Sequence, residues 1–156
     1  MESIAERARS IGTELSLLDD WEDRYTLIID LGKELPKLSD WEKCEDNRIQ
    51  GCQSQVWLVF EISNREPETP EKTRLRFRAQ SDSVIVQGLA ALLIGIYDGM
   101  SAAEILAFDA EEFFDRIDLK SHLSANRRGG LSEMVNRIRE KAEEVIHSGG
   151  AAGVSI

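Results

Sequence analysis

One of the chain's two cysteines, Cys52, lies in a sequence context suited to chemistry. It follows Gly51 and precedes the polar run Gln53, Ser54 and Gln55, so it stands just before an apolar segment and not within one. Glycine adopts backbone angles that other residues avoid, so Gly51 can present the thiol on a tight loop. A thiol that is accessible and ionises is a nucleophile. The segment therefore predicts a reactive cysteine, with a buried and inert thiol as the alternative.

No residue beside Cys52 in the sequence is a strong local base. Lys43 and Arg48 are the nearest cations, and Glu45 and Asp46 offset their charge. We therefore expect a thiol that is only modestly activated until a partner closes over it.

A Cys–His hydrolase is one alternative for this thiol. His122 would have to reach Cys52, and an acid such as Asp109 or Asp118 would have to orient the imidazole. The sequence offers no oxyanion motif in support, and a histidine in this setting is more often a loop or cap residue.

A metal or cluster site is a weaker alternative. Cys44 and Cys52 lie eight positions apart, the only histidines are His122 and His147, and no C-x-x-C pair occurs. Structural zinc and iron–sulfur sites usually take three or four Cys or His ligands with short paired spacings. A resolving pair of Cys44 and Cys52 stays open by spacing, and Cys44 is more simply a loop cysteine.

The composition of the chain limits the classes of partner that it can bind. The 156 residues carry a formal net charge of −10, which opposes binding to nucleic acid phosphates and to anionic lipid. Few cysteines favour a reducing setting, no signal peptide is visible at the N-terminus, and the longest apolar stretch, residues 89–96, is too short to span a bilayer. We expect a cytoplasmic protein with a protein or small-molecule partner and no membrane association.

The elements that position Cys52 are predicted as helices, then strands, then helices, which is an α+β order. A continuous apolar run at the start of residues 56–62 predicts a strand that anchors the cysteine loop. Alternation of apolar and polar residues over 73–80 predicts its antiparallel partner, and we expect a short third strand near Ile49. The expected result is a small antiparallel sheet packed against helices, in one domain over residues 1–147 with a flexible tail at 148–156. The predicted helices cover residues 3–17, 21–35, 84–97, 101–107, 110–117 and 131–146, the strands cover 56–62 and 73–80, and residues 36–48 and 120–130 are loops.

Two glycines within the apolar helix 84–97 fall on one face. Gly88 and Gly95 lie seven positions apart, and glycine costs about 1 kcal/mol relative to alanine inside a helix. They predict the close approach of another backbone, which we expect to be the sheet; the alternative is simple tolerance of glycine in a long apolar helix.

Residues 47–57, N-R-I-Q-G-C-Q-S-Q-V-W, closely resemble the signature of the SufE-type sulfur acceptor proteins, which include the related CsdE. The likeness continues at residues 81–89, 109–114 and 122–128, and it covers roughly residues 15 to 145. The resemblance implies an α+β fold shared with iron–sulfur scaffold proteins of the IscU/NifU type.

The resemblance also implies a function in iron–sulfur cluster assembly. Cys52 would take persulfide sulfur from a SufS-type cysteine desulfurase, stimulate that enzyme, and pass the sulfur to a SufB-type scaffold or, in a CsdE-like route, to another acceptor. The chain would act as a monomeric sulfur-transfer partner with no resident cofactor, because pyridoxal phosphate belongs to the desulfurase. A cluster scaffold and a cysteine-nucleophile hydrolase are the competing functions.

The remaining predictions concern how the thiol is held. We expect Cys52 to rest in a shielded, partly apolar pocket and to swing outward on docking. Gln53 and Gln55 can hold the loop through amide hydrogen bonds. The supporting loop or docking residues are predicted to be Gly51, Gln53, Ser54, Gln55, Asp82, Arg127 and His122.

Overall fold

A computed structural model describes residues 2–148. Two helices open the chain, α1 at Ile4–Ser16 and α2 at Trp21–Lys33. Ser3 and Glu6 form a reciprocal capping box at the start of α1, and the Asp20 carboxylate caps α2. Both caps accept hydrogen bonds from backbone N–H groups that have no partner within the helix.

A two-stranded antiparallel sheet follows, with β1 at Val56–Asn64 and β2 at Arg74–Ser81. The pairing runs from Val56 opposite Ser81 to Asn64 opposite Arg74. The predicted third strand near Ile49 is wrong, because that segment makes one isolated bridge, Arg48 to Trp57. The Ile49 N–H still donates to the Val56 carbonyl at 2.8 Å, so the cysteine loop is closed at its base.

Helix α3, at Val84–Tyr97, packs against α2 through glycine. A Cβ built on Gly88 would lie 2.5 Å from the Ile28 carbonyl oxygen, and one on Gly32 would lie 2.7 Å from the Gly88 nitrogen. The predicted close backbone approach at Gly88 is therefore real, but its partner is α2 and not the sheet. At Gly95 the prediction is wrong, because the neighbour there is a side chain: Ile11 of α1 lies 3.2 Å from a Cβ built on Gly95.

Three helices complete the described chain: α4 at Ala102–Ala107, α5 at Ala110–Arg116 and α6 at Ala125–His147. The prediction that residues 120–130 form a loop is wrong for its second half. Ser124 caps α6, its hydroxyl accepting from the Arg127 N–H at 3.3 Å, and the helix begins six residues before Leu131. Gly129 and Gly130, which fall within the predicted loop, both lie inside the first turns of α6.

The α+β prediction is confirmed, with the core between the sheet and the helices. Fully buried members include Ile28, Leu75, Leu89, Phe113 and Leu131. Within residues 2–148, no helix is both long enough and apolar enough to cross a membrane. The predicted flexible tail falls, from residue 149 onward, outside the described residues.

Candidate functional site

The cysteine loop is held at both of its ends. Gly51 has a φ of 84°, a left-handed backbone angle that favours glycine, so the chain can turn immediately before Cys52. On the far side, the Asp82 carboxylate accepts from the Gln55 N–H at 3.0 Å, and the Asp82 N–H donates to the Gln55 carbonyl at 3.2 Å. These two hydrogen bonds join the end of the loop to the residues that begin α3.

The Cys52 side chain is half-buried between the loop and α6. It packs against the hydrophobic core, and a Cβ built on Gly130 would lie 3.3 Å from Cys52 Sγ. That separation is too short for a comfortable carbon–sulfur contact, so the absence of a side chain at Gly130 leaves the thiol its space. The early start of α6 is what brings Gly130 to this position.

Cys52 lines a cavity of about 330 Å³ between the loop and the start of α6. Its wall is mostly polar: the Gln53 side-chain carbonyl accepts from the Asn126 amide at 2.9 Å, and Arg127 lies beside them. Val86 supplies an apolar surface. The lining residues are Cys52, Gln53, Ser54, Val86, Ser124, Asn126, Arg127 and Gly130.

The surroundings of the thiol disfavour its ionisation. Burial raises the pKa of Cys52, the negative charge of Glu133 raises it further, and Arg48 opposes them by lowering it. Because a free cysteine already has a pKa near ~8.5, the thiolate is a minor species at neutral pH. The sequence expectation of weak activation agrees with this electrostatic setting.

The structure brings most of the predicted site residues together. Gly51 lies next to Cys52 in the turn, Gln53, Ser54 and Arg127 line the cavity, and Gln55 and Asp82 hold the loop end.

His122 is not among the residues that line the cavity. Its ring stacks on Trp21 with a centroid separation of 4.1 Å, and its Nε2 lies 3.4 Å from the Asp118 carboxylate. Cys44 is exposed and, like Cys52, is a free cysteine. The described residues therefore do not place a histidine in the cavity beside the thiol.

Sequence reasoning missed Asn126, Gly130 and Glu133, because it assigned the first two to a loop. A usable signal was present: Ser124 is a strong helix N-cap residue, and positions 127, 130 and 134 recur at helical spacing. Extending α6 back to Ser124 on that basis would have put Gly130 and Glu133 on one face.

Metal-ligating side chains do not cluster in the described part of the chain. Over residues 2–148, no group of three His, Cys, Asp or Glu residues is arranged to hold a metal ion. The site thus has one half-buried thiol, an adjoining polar cavity and a loop that is held at both of its ends.

The fold and the site define a small α+β protein with a half-buried cysteine on a loop held at both ends, and comparisons with known proteins give its family. Residues 9–142 match the SufE family model, described as an Fe-S metabolism associated domain. An uncharacterized SufE-like protein of Rhizobium etli is 48% identical over 126 residues, covering 81% of this chain and 82% of that protein. Another from Rhizobium meliloti is 42% identical over 130 residues, covering 83% and 90%. This chain belongs to the SufE family.

A solved structure also resembles the fold. The solution structure of a hypothetical protein from Thermus thermophilus matches with a TM-score of 0.71 and 15% sequence identity, covering 90% of this chain and 96% of that one. At that identity the likeness concerns the fold alone.

Proposed function

We propose that this protein is a sulfur acceptor that carries persulfide sulfur on Cys52. The observation that supports it most is the half-buried thiol beside a polar cavity, on a loop held at both ends, in a chain of the SufE family. The donor is a SufS-type cysteine desulfurase. The next acceptor is a SufB-type scaffold or another sulfur acceptor.

The transfer is a thiol–persulfide exchange. The Cys52 thiolate attacks the outer sulfur of the desulfurase persulfide, a new S–S bond forms, and the S–S bond on the desulfurase breaks. The desulfurase cysteine leaves as a thiolate and takes up a proton, while Cys52 gives up its own. One sulfur atom moves without an external oxidant or reductant.

The cavity suits a persulfide in two ways. It has room beyond Cys52 Sγ for one more sulfur atom, and its lining includes the polar residue Asn126 and the cationic residue Arg127, which favour a negatively charged sulfur. The half-buried position limits access by reductants in solution. We infer that docking of the desulfurase draws the loop outward, because Cys52 in its present position is only partly accessible.

The chain itself needs no resident cofactor in this scheme. Pyridoxal phosphate belongs to the desulfurase, and the sulfur is bound covalently to Cys52. The protein therefore acts as a partner of the desulfurase and not as a catalyst with turnover of its own. We propose that it works as a cytoplasmic monomer.

Steady-state turnover of a SufS-type desulfurase tests the proposal. Adding this protein to the desulfurase with cysteine as substrate should raise the rate of alanine formation, because the acceptor empties the desulfurase persulfide. Cys52→Ser should abolish the stimulation, and Cys44→Ser, the matched control, should retain it. Equal stimulation by Cys52→Ser and the unmodified protein would contradict the proposal.

A further inference from the structure

Helix α6 places one carboxylate against the cysteine loop. A Cβ built on Gly51 would lie 3.4 Å from Glu133 Cγ and 3.7 Å from its carboxyl carbon. One turn earlier on the same helix, Gly130 lies against the sulfur of Cys52. Because residues three apart share a helix face, Gly130 and Glu133 together cover the Gly51–Cys52 dipeptide.

Charged side chains near this dipeptide include Glu133 and Arg127 on α6, Arg48 before the loop and Asp82 at its far end. Two of them already have polar partners: Arg48 lies 3.7 Å from the Glu45 carboxylate, and Asp82 accepts from the loop backbone. Glu133 differs, because no cation in residues 2–148 lies within ion-pairing distance of it. Arg137, a further cation on α6, donates to the Arg48 carbonyl at 2.9 Å and to the Asp46 carbonyl at 3.3 Å.

We propose that Glu133 restrains the reactivity of Cys52 in the free protein, as a positioning charge that does not touch the transferred sulfur. This inference deepens the proposed sulfur-acceptor function and rests on it. A carboxylate beside the loop opposes the formation of a second negative charge on the thiol. The consequence is a cysteine that reacts slowly with small electrophiles while no partner is bound.

Alkylation of Cys52 by iodoacetamide tests this directly. The probe is uncharged, so its approach does not depend on the charge of Glu133. The full chain with Cys44→Ser removes the exposed second thiol, and in that background Glu133→Gln is compared with Glu143→Gln. Glu143 lines the same α6 cavity as Glu133 but lies ten residues further along the helix. Rate constants are measured for the Cys52 peptide across a pH series.

The effect of Glu133→Gln on the alkylation rate should depend on pH. Below the pKa of the thiol, Glu133→Gln should react about two- to threefold faster, because an exposed charge a few Å away shifts the thiolate population by about that factor. Above that pKa the two profiles should meet, since both thiols are then ionised. In about 1 M salt the difference should shrink. Glu143→Gln should follow the parent profile throughout.

Two results would overturn the inference. One is an unchanged profile for Glu133→Gln. The other is a rise by the same factor at every pH, which indicates loosened packing of α6 on the loop and not an effect of charge. No desulfurase is present, so failure here leaves the sulfur-acceptor proposal standing, and failure of sulfur transfer leaves the alkylation result intact.

Discussion

At the scale of single residues, the chemistry depends on how the cysteine loop is fixed. Gly51 supplies the turn, Gly130 leaves space for the sulfur, and Asp82 closes the far end through two hydrogen bonds with Gln55. A loop fixed in this way keeps the thiol half-buried. Removing one of these hydrogen bonds should therefore expose Cys52 more often through local opening of the loop.

Asp82→Ala tests the hydrogen bond between the Asp82 carboxylate and the Gln55 N–H. The variant loses the acceptor for the Gln55 N–H, which costs about 1 kcal/mol, so the loop should open roughly fivefold more often. We expect iodoacetamide to alkylate Cys52 about fivefold faster, measured in the Cys44→Ser background.

Asp82→Asn is the matched control for that substitution. It keeps a side-chain oxygen that can accept the same hydrogen bond but removes the negative charge. Alkylation near the parent rate is expected. If both variants react equally fast, the charge of Asp82 and not its hydrogen bond controls the loop.

At the scale of elements, the contact of α2 with α3 supports the start of α3 and hence the residues that hold the loop. The Gln87 amide donates to the Gly32 carbonyl at 3.0 Å and its oxygen accepts from the Ser81 N–H at 3.1 Å, which joins α2, α3 and β2. This arrangement requires two helix backbones to approach each other closely at glycine.

Gly88→Ala should therefore destabilise the fold strongly. The new methyl would meet the Ile28 carbonyl at 2.5 Å, and because that atom belongs to a helix backbone, the clash should lower the free energy of unfolding by at least about 2 kcal/mol. Chemical denaturation measures the loss.

Gly129→Ala is the opposite case within α6. No atom lies within 4 Å of a Cβ built there, so the substitution should stabilise the protein by about 0.4–1 kcal/mol. A mild effect of Gly88→Ala, similar to that of Gly129→Ala, would show that α2 and α3 can separate without cost.

The elements also show what the sequence could reveal and what it could not. The cysteine loop and both strands follow from local patterns, so Cys52 and its anchoring strand were predictable. The start of α6 was harder to predict: Ser124 is a strong N-cap residue, but Gly129 and Gly130 have low helix propensity, which packing on the loop outweighs. The Glu42–Arg78 pair, 36 residues apart, has no local signal at all.

At the scale of the whole molecule, an ion pair fixes the long segment before the cysteine loop onto the sheet. Glu42, only 6% exposed, pairs with Arg78 of β2 and also accepts from the Ser39 N–H at 3.0 Å. These hydrogen bonds, with that from Arg78 first, lower the pKa of Glu42 from its ordinary 4.5 to about 2. In a chain with a net charge of −10, this acid is held in its charged form by the fold.

The contribution of Glu42 to stability should therefore depend on pH. Because the folded pKa lies below the unfolded one, the contribution is complete above about pH 4.5 and is lost as the pH falls through 2. Glu42→Gln should melt at a lower temperature than the parent near pH 7, and the gap should close progressively below pH 4.5.

Glu112→Gln removes the exposed Arg116–Glu112 pair and serves as the control, with little effect on melting at any pH. A gap for Glu42→Gln that persists unchanged from pH 7 to pH 2 would mean that lost packing, and not lost charge, causes the destabilisation.

The most direct test of the account is the mass of the Cys52 peptide after incubation with a SufS-type cysteine desulfurase and cysteine. We predict the added mass of one sulfur atom on Cys52, removed by reductant, present in Cys44→Ser and absent in Cys52→Ser. No added sulfur on Cys52, under conditions in which the desulfurase forms its own persulfide, would contradict it.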